Sequence, residues 1–149
     1  MKIRFSRLSA RLLAPAALLI AATMAAYLTQ AEAHMPGESV APAFNQMIPN
    51  IPGKSLIGAV VEYAPGAKSV SHHHAKSAFI LAYVLSGAIR SQLNDGKVQV
   101  FHAGESWSEV PGTHHTISEN ASDTEPAKLL AIFVVDSADK ALTVNDKKD

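Results

Sequence analysis

The chain has 149 residues, with 13 basic and 13 acidic side chains, 7 histidines and no cysteine. Balanced charge argues against nucleic acid as a partner, because phosphates are held mainly by Lys and Arg. The lack of cysteine excludes disulfides, thiolate nucleophiles and Cys-ligated zinc, and a hydrophobic share of 48% excludes a disordered chain.

The even charge joins two unlike pieces. Lys2, Arg4, Arg7 and Arg11 form a basic start, and the 17 residues from Leu12 to Leu28 carry no charge. Ala31-Glu32-Ala33 then offers the small residues that a signal peptidase reads, so residues 1–33 are expected to be a secretory signal peptide. The protein is then expected to be exported, periplasmic or secreted, with no stable membrane span after cleavage. An uncleaved N-terminal anchor is the alternative. Arg7 and Arg11 are not adjacent, which argues against a twin-arginine signal. Cleavage after Ala33 leaves 9 basic and 12 acidic residues and all 7 histidines in residues 34–149.

Residues 34–54 hold Pro36, Pro42, Pro49 and Pro52 and are expected to form an irregular arm with at most a short edge strand. Strands are expected at Ile57–Tyr63, Ala78–Leu85, Ala88–Leu93, Lys97–Val100 and Leu129–Val135. Asn94-Asp95-Gly96 signals a hairpin turn. Gly and Pro punctuate this stretch at intervals that suit an all-β sandwich or barrel over residues 55–136. Residues 137–149 are polar and are expected to be a frayed tail.

Successive strand residues point to opposite faces. Val70, His72 and His74 share one parity, and Ser69, Ser71 and His73 the other. His72 and His74 should therefore point inward and His73 outward. His115 shares parity with Ile117 and should point inward, while His114 goes with Thr116 and Ser118 toward solvent. His72, His74 and His115 thus make a candidate facial site for one divalent transition metal (Zn, Cu, Fe, Mn or Ni), since neutral imidazole suits several of these ions. Histidine doublets on exposed loops are the plainer alternative. Glu109 and Gln92 are candidates to reach the metal or orient a ligand, with exposed strand residues as the alternative. Glu109 is also the visible candidate for a catalytic base. His102, at a strand end, reads as a surface histidine. Phe79, Tyr83, Trp107 and Phe133 are candidates for a pocket lining or for plain core. His34 would be the new N-terminus, and an amine plus imidazole can bind copper. Asn120-Ala121-Ser122 matches a glycosylation acceptor.

These histidines also sit in a known pattern. Gly66, five residues and His72-His73-His74, followed by a stretch to Gly87, resembles the first motif of the cupin superfamily. Gly104, then Pro111-Gly112, His115 and Asn120, resembles the second, with 16 residues between Gly87 and Gly104. The resemblance covers about residues 55–136 and implies a double-stranded β-helix, or jelly-roll, barrel. Three departures stand out. No Glu falls between His74 and Gly87, where Ala78, Phe79 or Ile80 occupy its place; Pro111 and Asn120 each come one residue late.

The resemblance therefore implies three histidine ligands completed by water or substrate, one charge more positive than a site with a carboxylate. That charge would favour an anionic or chelating ligand. The function so implied is a small metalloenzyme of dioxygenase or isomerase type, acting on an oxygen-rich or anionic small molecule. The alternatives are a non-catalytic module that binds or senses a metabolite or metal, and a metal-free barrel with a ligand pocket. A homodimer is the oligomeric state that the resemblance suggests.

Overall fold

The structure, a computed structural model, describes residues 35–147. The expected signal peptide, its cleavage after Ala33 and the His34 terminus lie outside the described residues. Ten strands and no helix occur among the described residues: β1 (Glu38–Met47), β2 (Lys54–Tyr63), β3 (His72–His74), β4 (Phe79–Ser86), β5 (Ala88–Leu93), β6 (Gln99–His102), β7 (Ser106–Glu109), β8 (His114–Asn120), β9 (Ala127–Asp136) and β10 (Thr143–Asn145). They form two five-stranded sheets in the orders β1-β2-β9-β4-β7 and β10-β3-β8-β5-β6, with every pairing antiparallel.

The five strands expected from the apolar runs are present, with shifted ends. Gly87 turns the chain from the first sheet into the second at φ 69°, and a Cβ there would meet the Pro126 carbonyl oxygen at 2.6 Å. Only glycine satisfies both conditions.

Two regions expected to be irregular are strands. Residues 38–47 pair with β2 along nearly their whole length, from Glu38 opposite Tyr63 to Met47 opposite Ser55. Pro42 is tolerated because β1 is an edge, where an amide need not bond on both sides, and the register shifts between Pro42 and Phe44. The polar C-terminus adds β10 to the edge of the second sheet, with Val144 opposite His73. Polar composition suits this strand because it carries little of the core.

The two inner faces differ in chemistry. From the first sheet come Tyr63, Ile80, Ala82, Val84, Leu129, Ala131, Phe133 and Val135, all buried. From the second come His72, His74, Ser91, His115, Ser118 and Asn120, also buried. Buried polar groups must find partners, and Asn120 illustrates how: its amide donates to the carbonyls of Ala64 and Glu125. That burial makes it part of the core and a poor acceptor for a glycan. Tyr63 ties the layers together, its hydroxyl lying 2.6 Å from Ser69 Oγ and 2.9 Å from Ser118 Oγ.

Candidate metal centre

The three histidines expected to point inward do so. His72 and His74 alternate with exposed His73 on β3, and pairing with β8 sets His72 directly opposite His115. One ligand atom from each of His72, His74 and His115 can be chosen so that all lie within 4.8 Å of one another.

The inward position of His115 has a different cause from the parity assumed. Ile117 is only half-buried, whereas Ser118 and Asn120 are buried. Opposite them, Gln92 pairs with Ile117 and Leu93 with His115, so Thr116 is an extra residue in β8. Such a bulge inverts the alternation. It lets Asn120, Ser118 and His115 all face the interior.

Outer hydrogen bonds orient the rings. His72 Nδ1 lies 2.7 Å from the Val70 carbonyl oxygen, which fixes the proton there and leaves Nε2 as a free lone pair. His115 Nε2 lies 2.9 Å from Ser91 Oγ, so its Nδ1 is the nitrogen that faces Glu109. Burial lowers the His72 imidazole below its ordinary range and brings His115 down to about 4. Both are therefore neutral near pH 7, the state a metal needs.

Glu109 is the residue whose role the sequence left open. It is 3% exposed, on β7, with Oε2 at 3.0 Å from His74 Nε2 and Oε1 at 3.6 Å from His115 Nδ1. The Trp107 indole donates to Oε1 at 3.0 Å. Burial alone would raise this carboxyl, but the adjacent His74 and His115 outweigh it and hold Glu109 below the usual carboxylate range. Ile80 on β4, one of the residues in the vacated motif position, pairs directly with Glu109, so a carboxylate from the neighbouring strand stands beside the histidines.

The donor set fits a divalent metal. His74 Nε2, His74 Nδ1 and Glu109 Oε2 are buried without an aligned hydrogen-bond partner. Unsatisfied buried polar atoms are costly unless something fills the gap. Two ligands about 2.1 Å from one tetrahedrally held ion lie about 3.4 Å apart, close to the 3.0 Å between the His74 and Glu109 atoms.

Other candidates fall elsewhere. Gln92 donates to the Gly96 carbonyl and takes no part in the histidine cluster. His102 is exposed. Phe79 and Tyr83 are exposed on β4, being neither core nor pocket, while Trp107 and Phe133 do line the cavity beside the histidines. That cavity measures about 260 Å³ and is walled opposite the histidines by side chains such as Val61, Leu129 and Ala131.

A family model for the cupin domain matches residues 59–133. The chain belongs to the cupin superfamily. Solved cupin-fold structures agree with the two-sheet architecture. An uncharacterised double-stranded β-helix protein of Klebsiella pneumoniae is 17% identical, with a TM-score of 0.59 over 76% of this chain and 87% of its own. KdgF from Halomonas sp. is 19% identical, with a TM-score of 0.52 over 68% and 82%. Oxalate oxidase in complex with glycolate is 22% identical, with a TM-score of 0.55 over 74% of this cupin and 56% of that chain. No curated protein matches this sequence.

Proposed function

We propose that this cupin is an exported metalloenzyme that holds one divalent transition ion on His72, His74 and His115, with Glu109 as the fourth ligand. Its substrate is a small oxygen-rich anion. The observation that carries this reading is the buried pair His74 Nε2 and Glu109 Oε2, 3.0 Å apart with no aligned hydrogen bond, beside two neutral imidazoles. When bound, the ion supplies Lewis acidity to an oxygen-bearing ligand.

The chain's own residues supply the rest. The Val70 carbonyl holds His72 in one tautomer, and Ser91 orients the His115 ring. The apolar wall of Val61, Leu129 and Phe133 excludes water and suits the carbon skeleton of a ligand that fits about 260 Å³. Tyr63, raised by burial to about 12, stays protonated at neutral pH. Glu109 Oε2 is placed to take a proton when it is not bound to the ion. The oxalate oxidase neighbour, solved with glycolate, gives small hydroxy- and dicarboxylates as the first substrates to try.

The decisive measurement is elemental analysis of untagged protein from its native compartment, followed by oxygen consumption and product analysis with small carboxylates. One ion fewer per chain in His74→Ala than in wild type is the expected result. A metal-free protein would refute the reading.

One observation favours a non-catalytic binding module instead. Glu38, the other carboxylate lining the cavity, accepts a hydrogen bond from Ser69. If Glu109 stays on the ion, no second carboxylate beside the histidines is available as a base. Saturable binding of a carboxylate without turnover would select that reading. Export rests on the basic start, apolar run and Ala31-Glu32-Ala33; terminal sequencing of the exported protein should begin at His34.

A further inference from the structure

The histidines that point away from the cavity form a second cluster. His73 and His114 are direct partners across β3 and β8. Their rings stack with centroids 4.0 Å apart and planes 13° from parallel. Asp146, the residue after β10, sits against both: Oδ2 is 2.8 Å from His114 Nε2 and Oδ1 is 3.7 Å from His73 Nε2. The position of Asp146 is fixed twice by Ser71, whose carbonyl accepts from the Asp146 amide at 2.9 Å and whose hydroxyl donates to Oδ2 at 2.6 Å.

Serine, histidine and aspartate together suggest a nucleophilic triad, but the geometry forbids one. In a triad the hydroxyl and the carboxylate bind opposite ring nitrogens. Here Ser71 Oγ lies 3.0 Å from His114 Nε2, the same nitrogen that meets Asp146. The other ring nitrogen would have to carry the carboxylate for proton relay to work.

What the arrangement does provide is two imidazole nitrogens and a carboxylate, with one ligand atom from each within 4.8 Å of the others. We propose that His73, His114 and Asp146 form a second, outward-facing metal site, which takes zinc or copper(II) and leaves a position open for water. Two nitrogens and one oxygen suit these borderline ions better than magnesium or calcium, which prefer all-oxygen shells. The carboxylate already lies below the usual range, through the Ser71 hydrogen bond first and His114 second, so it needs no deprotonation to bind.

Such an ion would have a structural consequence. It would join β3, β8 and the end of β10, and β10 is only three residues long. The segment leading into and along β10, including Leu142, Thr143 and Asn145, lines the cavity that holds the inner site. An outer ion would therefore fasten one wall of that cavity.

The test is zinc binding by equilibrium dialysis and elemental analysis, on full-length protein first stripped with chelator. Wild type should bind two ions per chain. Asp146→Asn and His73→Gln, both changes at solvent-accessible side chains, should each lose one ion or bind it roughly tenfold or more weakly, as expected for removal of a metal contact. The His72→Ala/His74→Ala variant should keep one ion. Zinc should also slow carboxypeptidase trimming past Asp146 in wild type and in the His72→Ala/His74→Ala variant, but not in Asp146→Asn. Two ions retained by Asp146→Asn, or none retained by the His72→Ala/His74→Ala variant while it stays folded, would overturn the proposal. Failure of the inner site looks different: one ion in wild type, lost in Asp146→Asn and kept without His72 and His74.

Discussion

A carboxylate buried next to three imidazoles has few roles, and Glu109 can be interrogated directly. Removing its charge while keeping its shape should weaken the ion's hold without disturbing the sheets. Glu109→Gln is expected to lower metal affinity by more than the roughly 10- to 100-fold that loss of an outer partner causes, with an unchanged circular dichroism spectrum. Equal affinity would place Glu109 outside the coordination shell. Because Ile80 stands directly opposite Glu109, Ile80→Glu combined with Glu109→Gln should restore part of that loss. Phe79→Glu should not, since Phe79 is 47% exposed. The sequence displayed three histidines by parity but could not display this carboxylate's role. Its strand partner lies 29 positions away along the chain, and cross-strand neighbours are set by topology rather than spacing.

His115 makes a second prediction at the same scale. Burial brings its imidazole down to about 4 in the folded chain, against about 6.5 when unfolded. Between those values the unfolded chain holds more protons, so the stability of metal-free protein should fall as pH drops from about 6.5 toward 4. The loss is on the order of 3 kcal/mol for this one group. Urea unfolding of chelator-treated protein at pH 7 and pH 4.5 measures it. His115→Gln should flatten the dependence, and an unchanged slope in that variant would show that other groups set it.

Among the elements, β8 shows how a correct assignment can rest on an incomplete reason. Strict alternation puts His115 and Ser118 on opposite faces, yet both are buried. The Thr116 bulge reconciles them, and nothing in the composition of His114–Asn120 announces a bulge. The bulge has an energetic signature, because it delivers Ser118 to the Tyr63 hydroxyl. Tyr63→Phe removes a hydroxyl bonded to both Ser69 and Ser118 and should cost about 1–2 kcal/mol. Metal content should be unaltered, since Tyr63 is not among the ligands. A stability change near zero would mean that the two serines recover partners from each other or from water. β1 and β10 were hidden for a related reason. Edge strands carry proline and polar residues without penalty, so they read as loops until the pairing partner is known.

For the whole molecule, the run Ala78–Leu85 was legible as a strand, but one half of its meaning was not. Eight consecutive apolar residues imply a strand covered on both faces. The structure covers only one. Ile80, Ala82 and Val84 face the core, while Phe79, Leu81, Tyr83 and Leu85 remain 40–47% exposed. Their registered neighbours on β9, namely Val134, Ile132 and Leu130, extend the patch, and none of them is charged. An exposed apolar face of this kind marks an interaction surface. The seven side chains named carry no charge, so the same patch on a second copy of the chain can meet it across a two-fold axis. We therefore expect a homodimer that buries β4 of each copy. Light scattering after size exclusion should give about twice the monomer mass. Leu81→Lys with Tyr83→Lys should halve it, because two desolvated ammonium groups would face their symmetry mates. The metal site should survive that change, since both substitutions lie on the face of β4 opposite Ile80. A wild-type monomer at micromolar concentration would show that this face serves another partner, and a dimer that persists in the lysine variant would move the interface to another surface.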